Sequence, residues 1–132
     1  MMDRTTVLVV DDHEDTRDAY AALLERAGYR VLEASNGGEA IRMVREQWPD
    51  MILMDVGMPI VDGVEATESL RQYADTSPIP IIAMTGEGRP YERERMRTNC
   101  DALLMKPCSA KDLLSAVRRF TAVVGRKGPP SR

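Results

Sequence analysis

The sequence is short of several residue patterns, and each shortage removes a class of function. It has two cysteines, Cys100 and Cys108, with no C-x-x-C spacing and no histidine cluster beside them, so neither a redox pair nor a zinc site is indicated. Both are expected to be buried, inert thiols. No apolar run approaches the ~20 residues that span a bilayer. The start, MMDRTTVLVV, has one Arg ahead of a short apolar stretch that meets two aspartates. That fails as a secretory signal and makes the cytoplasm the expected compartment, with no membrane partner. The net charge of -3 lacks the clustered Lys and Arg that a nucleic-acid backbone demands, so no direct DNA binding is expected. The short basic tail at 125–132 holds Gly and Pro and reads as a flexible end or a linker stub.

What is present points to one folded domain. A chain of 132 residues, 43% hydrophobic and 30% charged, matches a soluble globular protein with a single core. Residues 1–124 form the predicted domain. No internal repeat interrupts it, and short apolar runs alternate with amphipathic ones. The runs predict strands at 6–10, 30–34, 51–55, 79–84 and 102–105. Apolar residues at helical spacing, with Gly and Pro stops, predict helices at 14–27, 37–48, 64–73, 91–98 and 110–124. The first, third and fourth strands are nearly continuous in Val, Ile, Leu and Met, the pattern of strands covered on both faces. Regular alternation then gives an α/β fold, a flavodoxin-like doubly wound (βα)5 with a five-stranded parallel sheet of order 2-1-3-4-5.

Open parallel sheets bind ligands outside the carboxyl ends of their strands, where the strand order reverses. The polar residues at those ends are Asp11 and Asp12, Asp55, Thr85, and Lys106 before Pro107. Singly, each has an ordinary explanation: an acid capping a helix, a turn residue, a solvated lysine. Asp55 resists that, because the apolar run Met51, Ile52, Leu53, Met54 meets an acid with little local reason for one, a turn-forming role aside. Together, three carboxylates at one edge repel and raise one another's pKa unless a cation is present. Oxygen-only ligation selects magnesium, calcium or manganese. Lys106 suits a phosphoryl oxygen and Thr85 supplies a hydroxyl donor. His13 reads as a helix-start residue, the methionines as core filler, and Trp48 as lying at the opposite sheet edge.

The segments VLVVDDHEDTR, ILMDVGMPIVDG, IIAMTG and LLMKP, in that order and spacing, resemble the receiver domain of two-component response regulators over about residues 5–124. The resemblance implies that Asp55 accepts a phosphoryl group from a histidine kinase or histidine phosphotransfer protein. It implies that Asp12 and Asp55 ligate Mg2+ through their side chains, Asp11 mainly through water and Gly57 through its carbonyl. Lys106 then pairs with the phosphoryl group, Thr85 turns inward to it, and the Lys106–Pro107 peptide is cis. A downstream effector would read the state on the face of the fourth helix, fifth strand and fifth helix, as a monomer or a phosphorylation-dependent dimer. This is a signalling domain that catalyses its own phosphotransfer, with autodephosphorylation, rather than an enzyme. The chain departs from the family at Leu103, where Phe or Tyr is usual, and at Gly86, where alanine is common. Gly86, Gly88 and Pro90 predict a loose loop after the fourth strand. Gly57 and Glu87 stand where the family tunes acyl-phosphate hydrolysis.

Two alternatives stay within the same fold: a phosphorelay intermediate and an interaction module independent of phosphorylation. Other classes fit less well. A phosphatase of the aspartyl-phosphate kind uses a second aspartate two residues after the first, where DVG has Gly57. A dinucleotide-binding domain needs a glycine fingerprint where this chain has DDHED. No effector domain is expected after Val124.

Overall fold

The computed structural model describes residues 4–58, 63–86 and 90–121. The order is β1 (Thr6–Val10), α1 (Glu14–Arg26), β2 (Arg30–Ala34), α2 (Gly37–Gln47), β3 (Met51–Asp55), α3 (Gly63–Arg71), β4 (Ile81–Thr85), α4 (Pro90–Asn99), β5 (Ala102–Met105) and α5 (Ala110–Thr121). The strands pair in parallel in the predicted order, β2-β1-β3-β4-β5. The predicted end of the last helix at 124 and the tail at 125–132 lie outside the described residues.

The two-residue period of a strand sends alternate side chains to opposite faces, and both faces here are apolar. Leu8, Ile52 and Ile81 pack on one side with Val44 and Met96. Val7, Leu53 and Ile82 pack on the other with Leu24, Leu113 and Val117. Helices α2, α3 and α4 therefore cover one face, and α1 and α5 the other. All residues of β1, β3 and β4 are buried, whereas β2 and β5 are partly exposed edges. Each large aliphatic side chain buried here contributes roughly 1.5–3 kcal/mol. No described helix is long and apolar enough to cross a membrane.

Apart from the end of the last helix, the described helix and strand boundaries fall within two residues of the sequence reading, and two of the differences have a clear local cause. Strand β4 starts at Ile81 rather than 79, because the Ile79 N–H turns back to the Thr76 carbonyl at 3.1 Å. Pro80 has no N–H to give the ladder. Helix α2 ends one residue early, with Trp48 in the left-handed region at φ 48° ahead of Pro49. The guanidinium of Arg45 stacks over Trp48 and Tyr73 and bonds Asp75 at 2.6 Å, clamping that end of the molecule. Trp48 precedes β3 and thus lies at the amino edge of the sheet, as expected.

Arg71, the last residue of α3, ties three elements together. It donates to the carbonyls of Asn99 (2.7 Å), Ser77 (2.5 Å) and Ile79 (2.8 Å) and to the Asp101 carboxylate (2.9 Å). Asp101 in turn accepts the Ile81 N–H at 2.8 Å. Arg71→Met keeps the aliphatic stem and strands those acceptors, so it is expected to cost roughly 2–4 kcal/mol. A lowered urea midpoint with an unchanged m-value is the measurement; an unmoved midpoint would show that solvent replaces the guanidinium without loss.

Candidate functional site

Parallel pairing brings the carboxyl ends of β1, β3, β4 and β5 to one edge, and each end delivers a polar group there. Asp11 directly follows β1, its N–H bonded to the Ala34 carbonyl at 3.1 Å and its side chain buried. Asp55 is the last residue of β3 and is also buried. The next amide, Val56 N–H, bonds the Met84 carbonyl at 2.9 Å, which keeps Asp55 on the sheet rather than on a loop. Lys106 follows β5, its N–H on the Thr85 carbonyl at 2.7 Å, and the Lys106–Pro107 peptide is cis.

The Lys106 ammonium lies between two carboxylates, 2.9 Å from Asp11 Oδ2 and 3.4 Å from Asp55 Oδ1. Asp11 Oδ1 accepts the His13 N–H at 2.8 Å, and Asp55 Oδ1 accepts the Gly57 N–H at 3.3 Å. Asp12 completes the group: its Oδ1 is buried and has no hydrogen-bond partner among the described residues. One ligand atom from each of Asp11, Asp12, His13 and Asp55 lies within 4.8 Å of the others.

The family model of the response regulator receiver domain matches residues 7–118. The polar-differentiation response regulator DivK of Brucella anthropi is 34% identical over 116 residues, 87% of this chain and 94% of its own length. The chain belongs to the response regulator receiver family. Among solved structures, a receiver domain of a signal transduction histidine kinase from Syntrophus aciditrophicus has a TM-score of 0.88 at 30% identity, covering 97% of this chain and 98% of its own. The receiver domain of a sensor histidine kinase from Pseudomonas aeruginosa, with a magnesium ion coordinated in its active-site cleft, gives 0.84 at 30%, covering 91% and 99%. The chemotaxis protein CheY4 of Vibrio cholerae gives 0.82 at 29%, covering 89% and 99%.

The electrostatics of this receiver follow from one shared cation. Burial pushes the Asp55 carboxyl above its ordinary range, and the Asp11 charge adds to this; the Lys106 charge and the Gly57 N–H oppose it without cancelling it. Burial works against the Lys106 ammonium, yet its bond to Asp11 and the charges of Asp55 and Asp11 outweigh that and raise its pKa. The ammonium sits nearer Asp11, which leaves Asp55 undercompensated. Three carboxylates facing one ammonium, with a buried oxygen on Asp12 that accepts no hydrogen bond from the described residues, suit an added divalent cation.

Lys106→Met removes that ammonium from between two buried acids. A loss of roughly 1–3 kcal/mol at neutral pH is expected. A raised lysine pKa stabilises the fold below its unfolded value of 10.5 and ceases to as pH climbs through the folded value. The difference between wild type and variant, read from urea midpoints, should therefore close at strongly alkaline pH. A gap that stays constant would mean that the lost packing, not the charge, caused it.

Thr85 is fully buried, and its hydroxyl donates to the Gly86 carbonyl at 3.3 Å rather than toward Asp55. Leu103, half-buried in β5, packs against the core layer under α2, α3 and α4. Cys100 and Cys108 are half-buried rather than buried, and burial pushes both thiols up, away from a reactive thiolate. Glu87 and Gly88 lie outside the described residues, as does the segment 59–62. Arg17 escaped the sequence reading. It donates to the Asp11 carbonyl at 3.0 Å and pairs with Glu33 at 3.0 Å, bracing the β1–α1 junction from α1. Its only sequence signal is an arginine one and a half turns beyond the acidic pair, which is indistinguishable from a surface charge.

Proposed function

We propose that this receiver accepts a phosphoryl group on Asp55 from a histidine kinase or histidine phosphotransfer protein in the cytoplasm and signals through its α4–β5–α5 face. The observation that carries this reading is the Lys106 ammonium held by Asp11 and only 3.4 Å from a buried Asp55 at the end of β3. A carboxylate oxygen of Asp55 attacks phosphorus, the P–N bond to the donor imidazole breaks, and the imidazole leaves with the bonding pair and takes up a proton. Lys106 offsets charge on the transferring oxygens, and the rigid strand end holds the nucleophile in line. Asp12 and Asp55 side chains, the Gly57 carbonyl and, through water, Asp11 would hold Mg2+, which when bound neutralises phosphoryl charge.

The new dianion attracts the Thr85 hydroxyl away from Gly86, biasing an equilibrium that α4 and β5 express to an effector. Moving such an equilibrium from mostly off to mostly on takes about 5 kcal/mol. A receiver working through Leu103 does so without the swing of an aromatic ring. Phosphorelay transfer has one specific support, since two of the similar solved structures are receiver domains of histidine kinases. Binding to DNA or membrane is not part of the proposal, and the protein acts as a monomer or as a dimer formed on phosphorylation. Incubation with labelled acetyl phosphate, with magnesium or with EDTA, tests the reading. Hydroxylamine-sensitive label that needs magnesium is expected; label that survives EDTA would remove the metal from the scheme.

A further inference from the structure

His13 stands at the start of α1 with its side chain beside the acids of the cleft. It is the N-cap of α1, yet its side chain makes no capping bond, unlike the Ser, Thr, Asp or Asn side chains favoured there. Its backbone N–H is already satisfied by Asp11 Oδ1 at 2.8 Å. The imidazole instead turns to the acidic cleft, with Nδ1 3.3 Å from Asp12 Oδ1 and 3.5 Å from Asp11 Oδ1. Asp12 Oδ1 is the buried oxygen without a hydrogen-bond partner among the described residues. Two atoms bound to one metal at ~2.0–2.2 Å stand roughly 3.0–3.5 Å apart when adjacent in its coordination shell. The imidazole nitrogen and Asp12 Oδ1 already have that separation.

We propose that His13 is a metal ligand of this cleft, adding an imidazole nitrogen to the carboxylates so that the receiver takes first-row transition dications such as zinc more tightly than magnesium. The proposal rests on the metal-site reading above and goes beyond it in naming a nitrogen donor and a different class of ion. Oxygen-only shells suit magnesium, calcium and manganese, whereas imidazole suits zinc, nickel and copper, and affinities at mixed N/O sites rise along the first-row series. The side chain is 72% exposed at the rim of the cleft, so it can swing onto an ion without moving α1. An ordinary His–Asp ion pair is the competing explanation for the same distances, and it predicts that removing the imidazole has no selective effect on zinc.

His13 is the only histidine in the sequence, so any imidazole signal from tag-free protein reports on it alone. The experiment is calorimetric titration of wild type, His13→Asn and Asp12→Asn with magnesium and with zinc, together with imidazole 15N NMR of wild type. The expected result is a zinc-dependent shift of one ring nitrogen and zinc affinity at least ~10-fold above that for magnesium. His13→Asn should lose ~10-fold or more in zinc affinity while magnesium affinity stays within about threefold. Equal changes for both metals, or none, would overturn the role of His13 and leave the magnesium site standing if Asp12→Asn abolishes magnesium binding. If wild type binds neither ion, the metal-site reading fails and this proposal falls with it.

Discussion

Asp55→Asn is expected to reduce phosphoryl uptake to background, a loss on the order of a thousandfold or more. The substitution is nearly isosteric, and the Gly57 N–H that now meets Asp55 Oδ1 at 3.3 Å can bond the amide oxygen instead. The fold should therefore persist while the nucleophile is gone, so loss of label cannot be blamed on unfolding. Uptake near the wild-type level, at an unchanged circular dichroism spectrum, would assign the acceptor to another residue.

The same variant should be more stable than wild type in metal-free solution at neutral pH. The carboxyl of Asp55 is held above its ordinary 3.8 by burial and by the Asp11 charge. A folded pKa above the unfolded one means that the native state binds the proton more tightly. Stability is then highest below the unfolded pKa and falls as pH rises through the folded value. Asparagine does not ionise and escapes that fall. Urea midpoints of the two proteins should converge in acid and separate toward neutrality, with the variant higher. Adding magnesium should narrow the gap, because the ion compensates the carboxylate only in wild type.

Gly63→Ala is the second large effect, and it acts through sterics. A Cβ on Gly63, the first residue of α3, would fall inside van der Waals contact with the Asp55 carbonyl oxygen and 3.0 Å from both the Asp55 carbonyl carbon and Met54 Cγ. The obstruction is backbone of a central strand, held on both sides by the β1 and β4 ladders, so it has no room to yield. Helix α3 must retreat instead, loosening Val64, Ala66 and Leu70 in the core. A cost of about 3 kcal/mol or more is expected, which at this size lowers Tm by roughly 10 °C. Uptake of label should fall as well, since Asp55 is the residue pushed. Gly86→Ala is the matched control: its Cβ meets nothing within 4 Å among the described residues, and its Tm should be close to wild type. A Gly63→Ala protein with the wild-type Tm would mean that α3 docks less closely than described.

Much of this architecture was legible locally. Unbroken apolar runs in β1, β3 and β4 announced strands buried on both faces, and the carboxyl-end rule placed Asp11, Asp12, Asp55, Thr85 and Lys106 at one edge without any distances. Hydrophobic periodicity works because it reports which side of each element meets water, and that is settled within a few residues. The boundary of β4 escaped it because Pro80 and the turn at Ile79 override an apolar pattern that continues through both.

Pairings inside the site were decided only in three dimensions. Lys106 and Asp11 are 95 positions apart, and no local pattern says that the ammonium favours Asp11 over Asp55 by half an ångström. Thr85 reads as a hydroxyl aimed at the site, whereas the fold turns it to the Gly86 carbonyl. Gly63 reads as turn punctuation, whereas the close approach of α3 to the Asp55 backbone makes it a steric requirement. His13 reads as the start of a helix, whereas its ring lies 3.3 Å from an oxygen of Asp12. Sequence determines which chemistry arrives at the sheet edge, because strand polarity and burial are local properties. Distances of 3 Å between side chains depend on how strands remote in sequence are registered and how helices pack over them, and only the tertiary structure sets those.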